Sequence, residues 1–271
     1  MRFNTWAFIV LLCVTGFLII GFRRISHAEI NNTPYSRHQM PRQPPTRVRE
    51  ISLPQGYMRI SAKEGSFGEW LQNFPLRKNN TVYLYNGQPI AEQNLHYAVL
   101  DISTGDKDLQ QCADAIMRLR AEYFFAKKDY GKIEFGDGKE KYSFAKYLGN
   151  IETTSNQHAT LMGFMQNVFI NCGTYTVDAM SIPIPLDSMQ PGDMFVKAGS
   201  PGHAMVVVDV ATNAAGNKIY LLAQSYMPAQ DMHVVINPMD AHLSPWYAVT
   251  ANKQIITPGW VFAPSQLKRW K

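Results

Sequence analysis

The chain has 271 residues, 46% of them hydrophobic, which is enough to bury one substantial core. Its 26 basic and 21 acidic residues give a net charge of +5, but residues 1–50 hold all of this excess and residues 51–271 are neutral. A basic tail on a neutral domain is not the pattern of a nucleic-acid-binding protein, and we therefore expect no nucleic-acid partner.

Residues 1–28 have the layout of an export signal. Arg2 precedes an uncharged apolar run from Trp6 to Phe22, and the small residues Ser26 and Ala28 stand where a signal peptidase would cut. The same run is just long enough to span a bilayer, so an uncleaved N-terminal anchor is the alternative. In both cases the sequence predicts an exported protein, either periplasmic or membrane-anchored and facing the periplasm.

Residues 29–50 are polar and rich in proline, with Pro34, Pro41, Pro44 and Pro45. This composition predicts an extended linker. The remaining residues, 51–271, are predicted to form a single domain.

The first elements of that domain are short. Tyr57 to Ser61 is a predicted strand, and Ser66 and Glu69 have the spacing of a capping box in front of a short helix. Val82 to Tyr85 and Tyr97 to Ile102 are also strand-like, because aromatic and branched residues are concentrated in them.

The strongest helical pattern runs from Asp108 to about Lys128. Its apolar residues recur at spacings of three and four: Leu109, Cys112, Ala113, Ile116, Leu119, Tyr123 and Phe124. Residues 129–150 are polar and contain glycine, which predicts a hairpin or loop. Residues 157 to about 171 are predicted to form a second helix.

The last third of the chain is a series of strands and turns. The predicted strands are Asp193 to Lys197, His203 to Val210, Ile219 to Tyr226 and His233 to Ile236. Helices followed by a run of antiparallel strands are typical of the α+β class.

Cys112 is a candidate nucleophile. With Asp108 as the N-cap and Gln111 as its capping partner, Cys112 falls in the first turn of its helix. There the helix dipole favours a thiolate, and unpaired backbone N–H groups can stabilise an oxyanion. Cys112 also lies on the apolar face of the helix, so a simple core position is the competing interpretation.

His203 is a candidate general base, since it opens an apolar strand after the turn Ser200-Pro-Gly202. If Val210 faces Ile219 across the hairpin, His203 and Gln224 lie diagonally on the same side of the sheet. An acceptor on Gln224 would then orient the imidazole. A register slip of one residue would move these side chains to opposite faces.

These motifs resemble a known group of enzymes. Pro191-Gly-Asp193 before one strand and Gly202-His203 before the next resemble the second half of papain-like amidase and peptidase domains of the NlpC/P60 and CHAP kind. Their nucleophile is a cysteine at the start of an upstream helix, as in Gln111-Cys112, and their third residue maps to Gln224. The resemblance implies a helix packed on an antiparallel sheet and the catalytic set Cys112, His203 and Gln224. The Asp-Cys-Ser-Gly signature of NlpC/P60 enzymes is absent.

Three stretches also resemble an uncharacterised bacterial family of secreted domains of unknown function, family 4846. They are Asp108 to Tyr123, Gly192 to Val210 and Leu222 to Asp231, and the likeness extends over most of residues 51–271. This family brings no known activity with it.

The sequence therefore predicts a cell-envelope cysteine hydrolase of amide bonds, with peptidoglycan or an envelope peptide as its partner. The alternative is an inactive envelope domain that binds glycan or peptide through Ser225 to Gln230 and Trp246-Tyr247. In that alternative Cys112 and Cys172 form a structural disulfide, since removal of a signal peptide leaves only these two cysteines.

Other chemistries find less support in the sequence. Cys172 is a poor nucleophile candidate because it lies at the end of a helix, where the dipole disfavours a thiolate. The histidines at 96, 203, 233 and 242 show no short ligand spacing, and no glycine-rich phosphate loop precedes a helix. We therefore expect neither a metal nor a cofactor.

Overall fold

The computed structural model describes residues 43–136, 139–149, 157–250 and 253–271. The predicted signal or anchor, residues 1–28, lies outside the described residues, as does most of the predicted linker. The helices α1 to α5 are Phe67–Gln72, Cys112–Ala126, Phe144–Gly149, Gln157–Asn171 and Thr174–Ala179. Of the helices described, none has the length and apolar character needed to cross a membrane.

The strands build one large antiparallel sheet and two small hairpins. Strands β1 to β13 are Tyr57–Arg59, His96–Val99, Glu134–Gly136, Lys141–Ser143, Ser181–Pro183, Met194–Lys197, His203–Asn213, Lys218–Gln224, His233–Val235, Tyr247–Ala248, Ile255–Thr257, Trp260–Phe262 and Leu267–Trp270. The large sheet has the order β2-β9-β8-β7-β6-β13-β5, with β1 added to β7 and β10 to β8. The prediction of an α+β fold is confirmed.

The sheet separates two apolar layers, because side chains alternate between the faces of a strand. Ala204, Val206 and Val208 of β7 face the larger core, which also contains the buried face of α2. Met205 and Val207 face the smaller core on the other side, which the β11–β12 hairpin covers. This two-layer arrangement sets α2 against one face of the sheet and the hairpin against the other.

Several predicted elements are confirmed with shifted ends. Ser66 caps α1 as expected, accepting the Glu69 backbone N–H at 3.2 Å, and the second predicted helix is α4. Val82 to Tyr85 is not a strand: Tyr83 and Leu84 make only isolated bridges, to Pro89 and Gln230. The predicted hairpin or loop at 129–150 contains the β3–β4 hairpin and also α3, which the sequence pattern did not reveal.

The main helix begins four residues later than predicted. Asp108 is not its N-cap, because the Asp108 carboxylate accepts the Ala229 backbone N–H at 2.7 Å and the Gln111 side chain at 3.1 Å. This long-range contact holds residues 108–111 outside the helix, and α2 starts at Cys112 with Gln111 as its N-cap. At the other end Lys128 adopts φ 57°, which terminates the helix.

The β7–β8 hairpin has a different register near its turn from the one predicted. Val210 pairs with Tyr220 instead of Ile219. A bulge between Val207 and Asp209 then absorbs the extra residue, so Val207 pairs with Leu222 as the predicted register requires. The error is therefore confined to the turn end and does not reach the His203 end of the strand.

Ordered structure begins before residue 51. Val48 is fully buried in the larger core, and its N–H donates to Phe74 O at 3.1 Å. Part of the segment predicted as linker therefore packs against the domain, because Val48 supplies an apolar side chain next to α1.

Candidate active site

Cys112 occupies the first position of α2. The helix N-cap is Gln111, whose backbone N–H donates to the Asp114 carboxylate at 3.2 Å. The following N–H groups of the first turn have no partner within the helix and point toward its N-terminal end. The prediction that Cys112 lies in the first helical turn is confirmed, while the predicted N-cap, Asp108, is wrong.

The Cys112 thiol is buried, and burial raises its pKa. Hydrogen bonding from the backbone of Ala204 and of Ala113 acts in the opposite direction without outweighing the loss of solvent. The helix dipole by itself favours a thiolate at this position. In the folded protein the resting sulfur is instead a neutral thiol at neutral pH, placed beside the first residues of β7.

His203 and Gln224 are brought together as predicted. The His203 Nε2 atom lies 2.8 Å from the Gln224 Oε1 atom, and both side chains are buried. Burial lowers the pKa of His203 to about 4, although the Gln224 contact opposes that shift. His203 is therefore a neutral imidazole at neutral pH, which is the form required of a general base.

A further histidine decides which way the Gln224 amide points. Nδ1 of His233 lies 2.9 Å from the backbone oxygen of Asp231, which can only accept, so Nδ1 carries the proton. Nε2 of His233 is then an acceptor for the Gln224 amide N–H at 3.5 Å. This leaves Gln224 Oε1 to accept from His203 Nε2–H, so Nδ1 of His203 is left with its lone pair.

His233 was not identified from the sequence as part of this site. It pairs directly with Gln224 across β8 and β9, and an explicit pairing of those two strands would have revealed it. Burial lowers the pKa of His233 to about 4 as well, so the array is uncharged at neutral pH.

His203 lies on the sheet face opposite to α2, since it shares that face with Met205 and Val207. Its ring packs within an aromatic shell, with centroid distances of 5.1 Å to Tyr226, 5.2 Å to Trp260 and 5.9 Å to Phe262. Cys112 approaches from the other layer. Cys112 and His203 both line one cavity of about 590 Å³, beside the first residue of β7.

The turn before His203 is tightly packed. A Cβ atom on Gly202 would lie 2.4 Å from the Gly199 oxygen and 2.7 Å from Thr174 Oγ1. Such distances exclude any side chain unless the backbone moves, so glycine is required here. The packing connects the turn to the start of α5 and holds His203 at the mouth of the cavity.

Two polar atoms of the cavity residues are buried without a partner among the described residues. They are Oδ1 of Asp114 and Nε1 of Trp260. Burial raises the pKa of Asp114 to about 8, so its carboxyl is protonated at neutral pH. An unpartnered acid O–H and an indole N–H are both hydrogen-bond donors that a carbonyl group of a ligand could satisfy.

The aromatic residues proposed for a binding groove are only partly in place. Tyr226 and Met227 line the cavity, as the Ser225 to Gln230 segment predicted. Trp246 and Tyr247 do not, because both are buried and donate to the backbone oxygens of Ser52 and Ile236. Trp260 takes their place, and no pattern in the sequence indicated it.

Cys172 also lines this cavity and is half-buried. No disulfide joins Cys112 and Cys172 in the structure. In the part of the chain that the structure describes, no group of three or more His, Cys, Asp or Glu is placed to hold a metal ion.

Comparison with known proteins identifies one family. Residues 48–269 match the family described as Domain of unknown function (4846), and the chain belongs to that family. No curated protein and no solved structure matches the chain.

Proposed function

We propose that this family 4846 domain is a papain-like cysteine hydrolase of amide bonds, related to the NlpC/P60 and CHAP enzymes and acting on peptides of the cell envelope. One observation carries the proposal. Cys112, at the first residue of a helix, and His203, held 2.8 Å from Gln224, open onto the same cavity. Nucleophile, base and orienting group are the three components that covalent acyl transfer requires.

The first half of the proposed reaction forms a thioester. Nδ1 of His203 removes the Cys112 thiol proton as the sulfur attacks the amide carbonyl carbon, so the S–C bond forms. The resulting imidazolium donates that proton to the amide nitrogen, the C–N bond breaks, and the amine leaves. Gln224 is a positioning residue, because it holds the ring through Nε2 and touches no reacting atom.

The second half regenerates the enzyme. His203 takes a proton from water as the water oxygen attacks the thioester carbon, then returns it to the sulfur as the C–S bond breaks. In both halves the backbone N–H groups at the start of α2 are the candidate oxyanion donors. The neutral thiol and neutral imidazole at rest favour proton transfer during attack over a preformed ion pair.

The substrate is proposed to be a peptide of peptidoglycan. The export layout of residues 1–28 supports an envelope location. Unpartnered donors on Asp114 and Trp260 suit the carbonyl groups of a peptide chain. The cavity volume of about 590 Å³ falls within the range of small-molecule and peptide sites.

The test uses the purified full chain and soluble peptidoglycan fragments, with newly released primary amines as the readout. Cys112→Ala and His203→Ala should each lower turnover by about a thousandfold or more, and Cys112→Ala should still bind the fragments. His158→Ala is the matched control, because His158 is half exposed and paired with Glu122 away from the cavity. Turnover unchanged by Cys112→Ala would refute the assignment.

The second candidate is an inactive envelope domain that binds peptide or glycan. The unpartnered donors in the cavity favour it as much as they favour an enzyme, because they require a ligand but no chemistry. Binding of fragments by the native protein without release of amines would support this candidate. Thiol counting without reductant tests its disulfide: two reactive thiols in the mature chain contradict a Cys112–Cys172 bond, and none supports it.

A further inference from the structure

A second cavity, of about 380 Å³, is lined by Arg120 from the middle of α2. Arg120 is eight residues beyond Cys112 in the helix, which corresponds to roughly 12 Å of helix rise. The charged residues that line this cavity are Lys63, Arg120, Asp193 and Arg269. Three cations and one anion give this lining a net positive charge. None of its residues also lines the Cys112 cavity.

Arg120 is the unusual member of this lining. Its guanidinium lies over the ring of Phe124 at 5.0 Å and over that of Trp270 at 4.6 Å. It makes no hydrogen bond or ion pair with any residue that the structure describes. Burial lowers the pKa of Arg120 to about 10, which shows that the charge has lost solvent without gaining a carboxylate.

Trp270 adds an unsatisfied buried donor to the same cavity. The residue is 8% exposed, and its Nε1 atom is buried without an acceptor in the described parts of the chain. A buried indole N–H normally finds a partner, because leaving it unpaired costs about 1–3 kcal/mol. An unpaired indole N–H beside a half-buried guanidinium that has no carboxylate partner fits an acceptor that comes from outside the chain.

The neighbouring Arg269 provides an internal comparison. Its guanidinium binds both oxygens of Asp193, at 2.6 and 2.8 Å, and the Asp193 carboxylate also accepts the Gln190 N–H at 2.7 Å. The charge of Arg269 is therefore compensated within the protein. The same contacts fix one wall of the cavity, so the site around Arg120 is preformed.

We propose that this cavity binds the carboxylate of a small organic ligand, held by Arg120 and the Trp270 indole N–H. A guanidinium fork and an adjacent N–H match a planar group with two acceptor oxygens. Ala62, Phe67 and Pro191 supply apolar walls for the body of the ligand. Exposed Lys63 at the rim adds long-range attraction for an anion. The site does not depend on the proposed hydrolase activity.

The experiment titrates the purified full chain with benzoate, acetate and inorganic phosphate, following heat release and the thermal unfolding midpoint. We expect saturable binding of benzoate, with acetate weaker because it lacks an apolar body. Arg120→Met should weaken benzoate binding roughly tenfold or more, and Trp270→Phe roughly threefold. Arg49→Met is the matched control: Arg49 is exposed and does not line the cavity, so the same loss of charge should leave affinity unchanged.

Three outcomes would overturn the proposal. They are equal affinity in Arg120→Met and native protein, tighter binding of phosphate than of benzoate, and no binding of any probe at about 50 mM, well above the millimolar dissociation constants of weak fragments. Lys63→Gln is a second variant that tests the site even if the Arg120 variant misfolds, because Lys63 is exposed. It should weaken benzoate binding roughly twofold, and more strongly at low salt.

Discussion

Replacing Asp114 with asparagine should make the folded protein more stable at neutral pH and change the way its stability depends on pH. Asp114 is 6% exposed, its Oδ1 atom has no partner among the described residues, and no cation faces it. Burial raises its pKa from 3.8 to about 8. Between those values the carboxyl is ionised in the unfolded chain and protonated in the folded protein.

The magnitude follows from that difference. Where the unfolded chain has released a proton that the folded protein still holds, each pH unit lowers the free energy of unfolding by about 1.4 kcal/mol. Below pH 3.8 Asp114 is neutral in both states and does not lower the free energy of unfolding. As the pH rises from there toward 8, that free energy falls progressively. From pH 5 to pH 7 the loss amounts to about 3 kcal/mol.

The assay is urea denaturation of the native protein and of Asp114→Asn at both pH values. The amide oxygen of the variant still accepts the Gln111 N–H, so the start of α2 is preserved. The variant should gain about 3 kcal/mol on the native protein between pH 5 and pH 7. Only the difference between the two proteins is used, because His203 and His233 also titrate near this range and destabilise the fold as the pH falls.

Asp106→Asn is the matched control, since Asp106 is exposed and its replacement should shift stability equally at both pH values. A stability difference between Asp114→Asn and native protein that stays constant from pH 5 to pH 7 would refute the reasoning. It would mean that the Asp114 carboxyl is ionised in the folded state or reaches solvent.

Three further predictions concern the candidate site. Alkylation of Cys112 by iodoacetamide should fall about tenfold per pH unit below pH 8, because burial raises the thiol pKa; a rate that levels off at pH 5 would indicate a preformed ion pair instead. His233→Ala should lower kcat about tenfold at unchanged KM, because the Gln224 amide loses the contact that orients it. A tenfold loss is smaller than the loss expected on removing a general base. An unchanged kcat would exclude this positioning role. Gly202→Ala should lower the free energy of unfolding by about 1–3 kcal/mol, since its Cβ would meet the Gly199 oxygen at 2.4 Å; denaturation curves that coincide with those of the native protein would contradict the crowding.

The elements that the sequence predicted well depend on local patterns. The apolar stripe of α2 and the starts of β6 and β7 are each specified by residues within one turn or one strand of each other. Cys112 and His203 follow from the same patterns, because each stands at the beginning of a strongly periodic element. The α+β class required only the order of those elements.

Long-range contacts account for the errors. Asp108 has the residue type of an N-cap, but the Ala229 N–H, 121 residues away, occupies its carboxylate. The β7–β8 register was wrong at the turn, yet the bulge before Asp209 restored the pairing that brings His203 to Gln224. A bulge depends on how the whole strand packs, so the spacing of the hairpin residues does not reveal it.

The sequence by itself therefore determined the apolar stripe of the helix and the start of the strand that carries His203, because periodicity and alternation are local, but not the residue at which the helix begins. Only the tertiary structure decided their chemical state. Burial makes Cys112 and His203 neutral and keeps Asp114 protonated, and it leaves the indole N–H of Trp270 without an acceptor among the described residues. Desolvation and pairing depend on every element that packs around a group, and those elements come from distant parts of the chain.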